Sequence, residues 1–169
     1  MWREENRELF AHSLNQLEQD AIVREMQLLS QHTQNVTCYD HCLCVAYFSF
    51  TLCRWMKLDY TAAARGGMLH DLYLTDWSDT DYNALKRWRI HPQLALDNAR
   101  RYELSPLEED IIIKHMWPLT FARPSYKESY VVSFADKLAA VLEKTHLIRP
   151  LGIRRNLSLL ARVPVALAG

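Results

Sequence analysis

A chain of 169 residues suits one domain around a single sizeable core, and 49% hydrophobic with 24% charged residues excludes a disordered chain. The formal net charge of +0 leaves no global field directed at nucleic acid, an acidic substrate or a membrane surface. No apolar run is long enough to cross a bilayer and the opening MWREENRELF is too charged for a signal peptide, so a cytoplasmic protein without a membrane or nucleic-acid partner is expected.

Four glycines and six prolines are few, and the long stretches of Leu, Ala, Glu, Arg and Met between them favour helix throughout. The pattern predicts a helix over about residues 3–18 and a second over about 20–31. After the polar break His32 to Asn35, a long and largely buried helix should run from Thr37 to Lys57. Asp59 or Thr61 can cap the next, through TAAARGGML, which should end near His70 and Asp71. Gly66-Gly67 inside it implies close backbone packing against a neighbour.

The polar TDWSDTDYN reads as a loop, and His91-Pro92 as a helix entry, because proline suits the first helical position. That helix should end near Tyr102. Ser105-Pro106-Leu107-Glu108 is a capping box, the strongest local signal in the chain, and opens a helix that stops before Pro118. A last helix is expected over Lys127 to Lys144, with Val132, Ala135, Ala139 and Leu142 facing inward. The segment after His146 carries Arg149, Arg154, Arg155 and Arg162, and its pattern fits a basic amphipathic helix or a frayed tail equally. Cys38, Cys42, Cys44 and Cys53 read as small core hydrophobes, since no second cysteine pair completes a thiolate metal site.

The chemistry-bearing residues come in the order His41, His70-Asp71, His91, His115, Asp136, each within or at the end of a separate predicted helix. The dipeptide alone is weak, but helices of a bundle can direct such side chains to one interior point. His41 sits among Cys42, Leu43, Cys44 and Val45, His115 follows three isoleucines, and Asp71 and Asp136 are flanked by Leu, Ala and Phe. An ionised aspartate buried without a partner costs several kcal/mol, so these acids must face a cation, a hydrogen-bond network or solvent. A shared metal centre would resolve several of these needs together, against the plainer reading of each as a separate core histidine or surface acid.

This order on helices, carried by YDHCLCVAY, AARGGMLHDLYLTDW, IHPQLALDNA, KHMWPL and KESYVVSFADKLAAVLE, resembles the HD superfamily of metal-dependent phosphohydrolases. More narrowly it is similar to small bacterial HD-domain proteins. The likeness covers about residues 23–145, with residues 1–22 as an N-terminal helix and 146–169 as a basic C-terminal segment of one HD domain. The resemblance implies an all-α, HD-type helical bundle. It implies His41, His70, Asp71 and Asp136 as ligands of one metal, with His91 and His115 added for a second and Asp71 bridging both. His12, His32 and His146 match nothing and read as surface residues.

The ligand types suit one or two divalent transition metals (Fe, Mn, Co or Zn), two being expected. The implied reaction is hydrolysis of a phosphomonoester or phosphoanhydride, of a nucleotide by family likeness, with metal-activated hydroxide as nucleophile and Asp71 as the catalytic residue. One departure stands out: many two-metal members carry a lysine three residues after the HD aspartate, and this chain has Leu74. Arg89, Lys114 and Lys137 are the substrate-binding candidates to replace it, with Lys86, Arg87, Arg123 and Lys127 behind them. Trp77, Trp88 and Trp117 are candidates to stack a base, although tryptophans at helix boundaries more often pack. Asp40 and Asp76 read as a helix start and a turn. Two other classes stay open: a di-iron oxygenase like inositol oxygenase, and a non-catalytic metal- or nucleotide-binding module. No oligomeric state is legible.

Overall fold

The computed structural model describes residues 4–31, 36–77 and 81–147. His32 and the basic segment with Arg149, Arg154, Arg155 and Arg162 lie outside them. Seven α-helices, α1 (Glu4–Leu14), α2 (Ala21–Glu25), α3 (Cys38–Met56), α4 (Tyr60–Leu69), α5 (Ala84–Ala99), α6 (Pro106–Lys114) and α7 (Lys127–Lys144), carry the described residues. The protein is all-α. The nearest approach to a strand is an isolated antiparallel bridge between Ser30 and Thr37.

Local chemistry sets most helix starts as the sequence indicates. The Thr37 hydroxyl accepts from the Asp40 amide and the Asp40 carboxylate accepts from the Thr37 amide, so Asp40 completes a capping box. Ser105 and Glu108 form the other, with Pro106 in the first turn. Asp59, rather than Thr61, caps α4 by accepting from the Ala62 amide at 2.9 Å.

Three expectations are corrected. The first helix ends at Leu14, four residues early, because Asn15 and Gln16 take positive φ of 49° and 67° and a single 3-10 turn follows. The second, expected to about residue 31, is α-helical only to Glu25 before another 3-10 turn and an extended Leu29. His91-Pro92 is not a helix entry. Asn83 caps α5 nine residues upstream of Pro92, accepting from the Lys86 amide at 2.9 Å, and Pro92 is buried inside the helix. Proline there removes an intrahelical hydrogen bond and crowds the carbonyl one turn back, and packing of the His91, Ala95 and Ala99 face outweighs that cost.

The core is one cluster of buried side chains that takes residues from all seven α-helices, Val23 alone from α2, with Phe10, Tyr47, Phe50, Leu69 and Ile111 among the fully buried ones. Helix α3 lies at its centre and α4 runs against it at backbone distance. A Cβ on Gly67 would stand 2.9 Å from the Ala46 Cα and 3.1 Å from its nitrogen, and one on Gly66 would stand 2.7 Å from the Ile111 Cγ2. The glycine pair therefore lets α4 sit between α3 and α6, as its composition indicates. All four cysteines are free and buried.

Candidate metal centre

Five helices deliver the six predicted residues to one interior point. His41 is in the first turn of α3, His91 in the middle of α5 and Asp136 in the middle of α7. His70 and His115 occupy the C-cap positions of α4 and α6, and Asp71 directly follows His70. All six are buried. Their ligand atoms fall into three overlapping sets, each within 4.8 Å: His41, His70 and Asp71; His70, His115 and Asp136; Asp71, His91 and His115.

The orientation of the rings carries the argument. His70 Nδ1 donates to the Gly67 carbonyl at 2.7 Å, His91 Nδ1 to the Arg87 carbonyl at 2.9 Å and His115 Nδ1 to the Ile112 carbonyl at 2.7 Å. A carbonyl only accepts, so each Nδ1 carries a proton and each ring turns its Nε2 inward, where a neutral ring offers a lone pair. For His70 and His115 the partner is a carbonyl of the last helical turn, a group that would otherwise lack an intrahelical donor. His41 is fixed differently, with Nδ1 2.9 Å from Glu143 Oε1 and Nε2 3.1 Å from Asp136 Oδ1. Orienting acceptors of this kind are what metal-bound histidines use.

Inside the ring of lone pairs, His91 Nε2 and His115 Nε2 are 2.9 Å apart. Two lone pairs at that distance repel unless a proton or a metal ion lies between them. Asp71 Oδ1 stands 3.3 Å from His91 Nε2 and 3.5 Å from His115 Nε2, while its Oδ2 stands 3.6 Å from His70 Nε2. One carboxylate thus turns its two oxygens to two groups of imidazoles. His70 Nε2 and Asp71 Oδ1 are buried without a hydrogen-bond partner.

Burial lowers the pKa of His70, and the charges of Asp71 and Asp136 only partly offset it. Burial, then repulsion by His70 and His91, pulls His115 down to about 3. For His41 burial also works downward, but hydrogen bonds to Asp136 and Glu143 prevail and raise it well above the ordinary value. Burial would raise Asp71 and Asp136. The surrounding histidines outweigh it at Asp71, and the His41 hydrogen bond with the Lys137 charge outweighs it at Asp136, so both carboxylates stay below their usual range. Two carboxylates held below their usual range, beside the buried His70 and His115 rings whose pKa burial lowers, form a site that suits a cation.

The centre opens into a cleft of about 730 Å³. Asp71, His91, His115 and Asp136 line it together with Tyr73, Trp77 and Trp88, and the exposed Leu28, Leu119 and Val141 also border it. Of the three cations named from sequence, only Lys137 lines it, with Nζ 3.0 Å from Asp136 Oδ2 and also donating to the His115 carbonyl. Arg89 is exposed beside Leu85 and Ile90, outside this cleft. Lys114 is drawn away by Asp110 and by Ser125 Oγ, 2.7 Å from its Nζ. Arg87, one of the secondary candidates, does line the cleft, and its guanidinium donates to the Tyr82 and Trp77 carbonyls. Leu74 has a positive φ of 50° and packs on the core, so position 74 is directed away from a phosphate role. Trp117 packs edge-on against Tyr130, 5.1 Å away, and is not part of the cleft. Asp76 is exposed at the cleft, and His12 and His146 are exposed as expected.

Gln31 and Glu143 were not legible as site residues. Gln31 donates to Asp71 Oδ2 at 2.7 Å from a loop forty residues away in sequence, and Glu143 reaches His41 from two turns beyond Asp136. Only the spacing of Glu143, seven residues after Asp136 and so on the same face of α7, offered a clue.

Four imidazole nitrogens and two carboxylates, two of whose atoms are buried without hydrogen bonds, fit a first-row transition ion better than magnesium. No cysteine joins any of the three sets, which agrees with their reading as core residues. No helix among the described residues is long and apolar enough to cross a membrane. No curated protein and no solved structure matches the chain. The HD domain model matches residues 38–141, which span all six converging residues, and the chain therefore belongs to the HD family.

Proposed function

We propose that the protein is a metal-dependent phosphohydrolase that cleaves a phosphomonoester or phosphoanhydride at two divalent ions. The observation that carries this reading is the set of inward Nε2 lone pairs around a carboxylate that splits its oxygens between them. His41, His70, Asp71 and Asp136 would hold one ion, and Asp71, His91 and His115 the other. When bound, such ions supply Lewis acidity: they lower the pKa of a water and neutralise charge on phosphate oxygens.

The chain's own residues do the rest. Asp71, kept ionised by its histidine neighbours, ties the two ligand groups together. Lys137 and Arg87 bring positive charge to the cleft, where an anionic substrate would be attracted and oriented. The aromatic lining of Trp77 and Trp88 supports a nucleotide as the substrate class, since a base can stack there.

Purified protein loaded with Mn²⁺ should release phosphate from members of a panel of nucleotides and simple phosphate esters. Asp71→Ala should abolish the activity, a loss of about 10³-fold or more, as for removal of a central catalytic group. His91→Ala and His115→Ala should each lower bound metal from two ions towards one. Dioxygen consumption by the iron-loaded protein without phosphate release would replace this reading with an oxygenase, and metal uptake without turnover would leave a binding module. Unchanged stoichiometry in both histidine variants would defeat the two-ion assignment.

A further inference from the structure

We propose that Gln31, held in place by Tyr73, is a positioning residue that sets the orientation of the Asp71 carboxylate for metal binding; this rests on the metal-centre reading above. Gln31 lies just past the 3-10 turn Met26–Leu28, where its amide donates to the Val36 carbonyl at 2.9 Å and the Ser30–Thr37 bridge pins the backbone. Its side-chain Nε2 donates to Asp71 Oδ2 at 2.7 Å, and its Oε1 accepts from the Tyr73 hydroxyl at 2.8 Å. The direction of the chain is fixed by chemistry. An amide oxygen cannot face a carboxylate oxygen at that distance, so the NH₂ group must turn to Asp71 and the oxygen to the phenol, which donates.

The consequence falls on the other carboxylate oxygen. With Oδ2 engaged, Oδ1 is left buried, without a hydrogen bond and facing His91 and His115. A terminal carboxylate torsion is broad and nearly two-fold, so without this hold the group can rotate and misdirect both oxygens. Tyr73 is itself buried and its ring packs against His91, with centroids 5.9 Å apart. Outer partners of this sort govern metal affinity by about 10- to 100-fold.

The test uses the full chain stripped of metal, titrated with Mn²⁺ by calorimetry and followed by thermal unfolding with and without the ion. Gln31→Ala should raise the Mn²⁺ dissociation constant about 10- to 100-fold and shrink the Mn²⁺-induced rise in Tm, while the Tm of the stripped protein stays within about 2 °C of the parent. Tyr73→Phe keeps the ring and should act in the same direction, by about three- to tenfold, and the double variant should be no weaker than Gln31→Ala alone, because both act through one contact. Should Gln31→Ala not fold, Tyr73→Phe decides. Unchanged Mn²⁺ affinity in the variants overturns the proposal. So does a lower Tm of the stripped protein with the Mn²⁺-induced rise intact, the mark of a loop tether only. A parent protein that takes up no Mn²⁺, Fe²⁺, Co²⁺ or Zn²⁺ at all would sink the metal-centre reading and this inference together, whereas normal uptake by parent and variants alike sinks this inference alone.

Discussion

Histidine 41 differs from the other three ligand-type histidines in what holds it. His70, His91 and His115 give Nδ1–H to neutral carbonyls, but His41 lies between two carboxylates, Asp136 and Glu143. In the metal-free protein its pKa is therefore raised, against the effect of burial, and that shift favours the protonated ring. A metal ion needs the neutral ring, so uptake at pH 7 should release about one proton, seen as a dependence of calorimetric enthalpy on buffer ionisation. The sign for stability follows from the same shift. A folded pKa above the unfolded value makes the protonated ring stabilising, fully so below about pH 6.5, and that contribution is lost as pH rises through the raised value. Stripped protein should thus lose stability on the alkaline side, and Glu143→Gln should lessen both effects. A proton release unaltered in Glu143→Gln would refute this role for the carboxylate.

Helix α4 has to bring His70 up to His41, and it does so by lying against α3 at the Gly67–Ala46 contact. Adding a Cβ at position 67 presses on backbone, which cannot move without shifting a helix. Gly67→Ala should cost about 2 kcal/mol in urea unfolding, within the range for overpacked sites, and should weaken metal binding as α4 is displaced. Gly66→Ala would press on the Ile111 Cγ2 at 2.7 Å and Cβ at 3.0 Å, the stiff β-branched root of a fully buried side chain, so it too should destabilise the fold. Equal stability of Gly67→Ala and the parent would show that the two helices tolerate separation. The same contact explains why two poor helix formers persist inside a helix: close approach is worth more here than intrinsic propensity.

Across the molecule, the candidate ligands come from α3, from the ends of α4 and α6, and from the middles of α5 and α7. An ion held there would crosslink elements that otherwise meet through packing and a few side-chain hydrogen bonds. Binding to the folded state alone raises stability by about 2.7 kcal/mol at a metal concentration of 100 times Kd. For a chain of this size that corresponds to a Tm about 5–10 °C higher, which a chelator should reverse. Identical melting with and without chelator, in protein shown to bind metal, would mean that the ligands stay assembled on unfolding or that the site is peripheral to the folded core.

Composition, periodicity and caps were enough to indicate an all-helical chain and the starts of α3, α4, α6 and α7, while the order of the histidines and aspartates, with the family resemblance, pointed to the six residues that converge. Those features are local or are carried by the identity of single residues, so a linear reading recovers them. The start of α5 escaped because Pro92 gives a strong entry signal that packing of the surrounding helix overrides. Gln31 and Glu143, the choice of Lys137 and Arg87 over Arg89 and Lys114, and the diversion of Leu74 were decided by tertiary structure alone. Each depends on where a side chain ends in space relative to residues distant in the chain, and neither propensity nor spacing contains that distance.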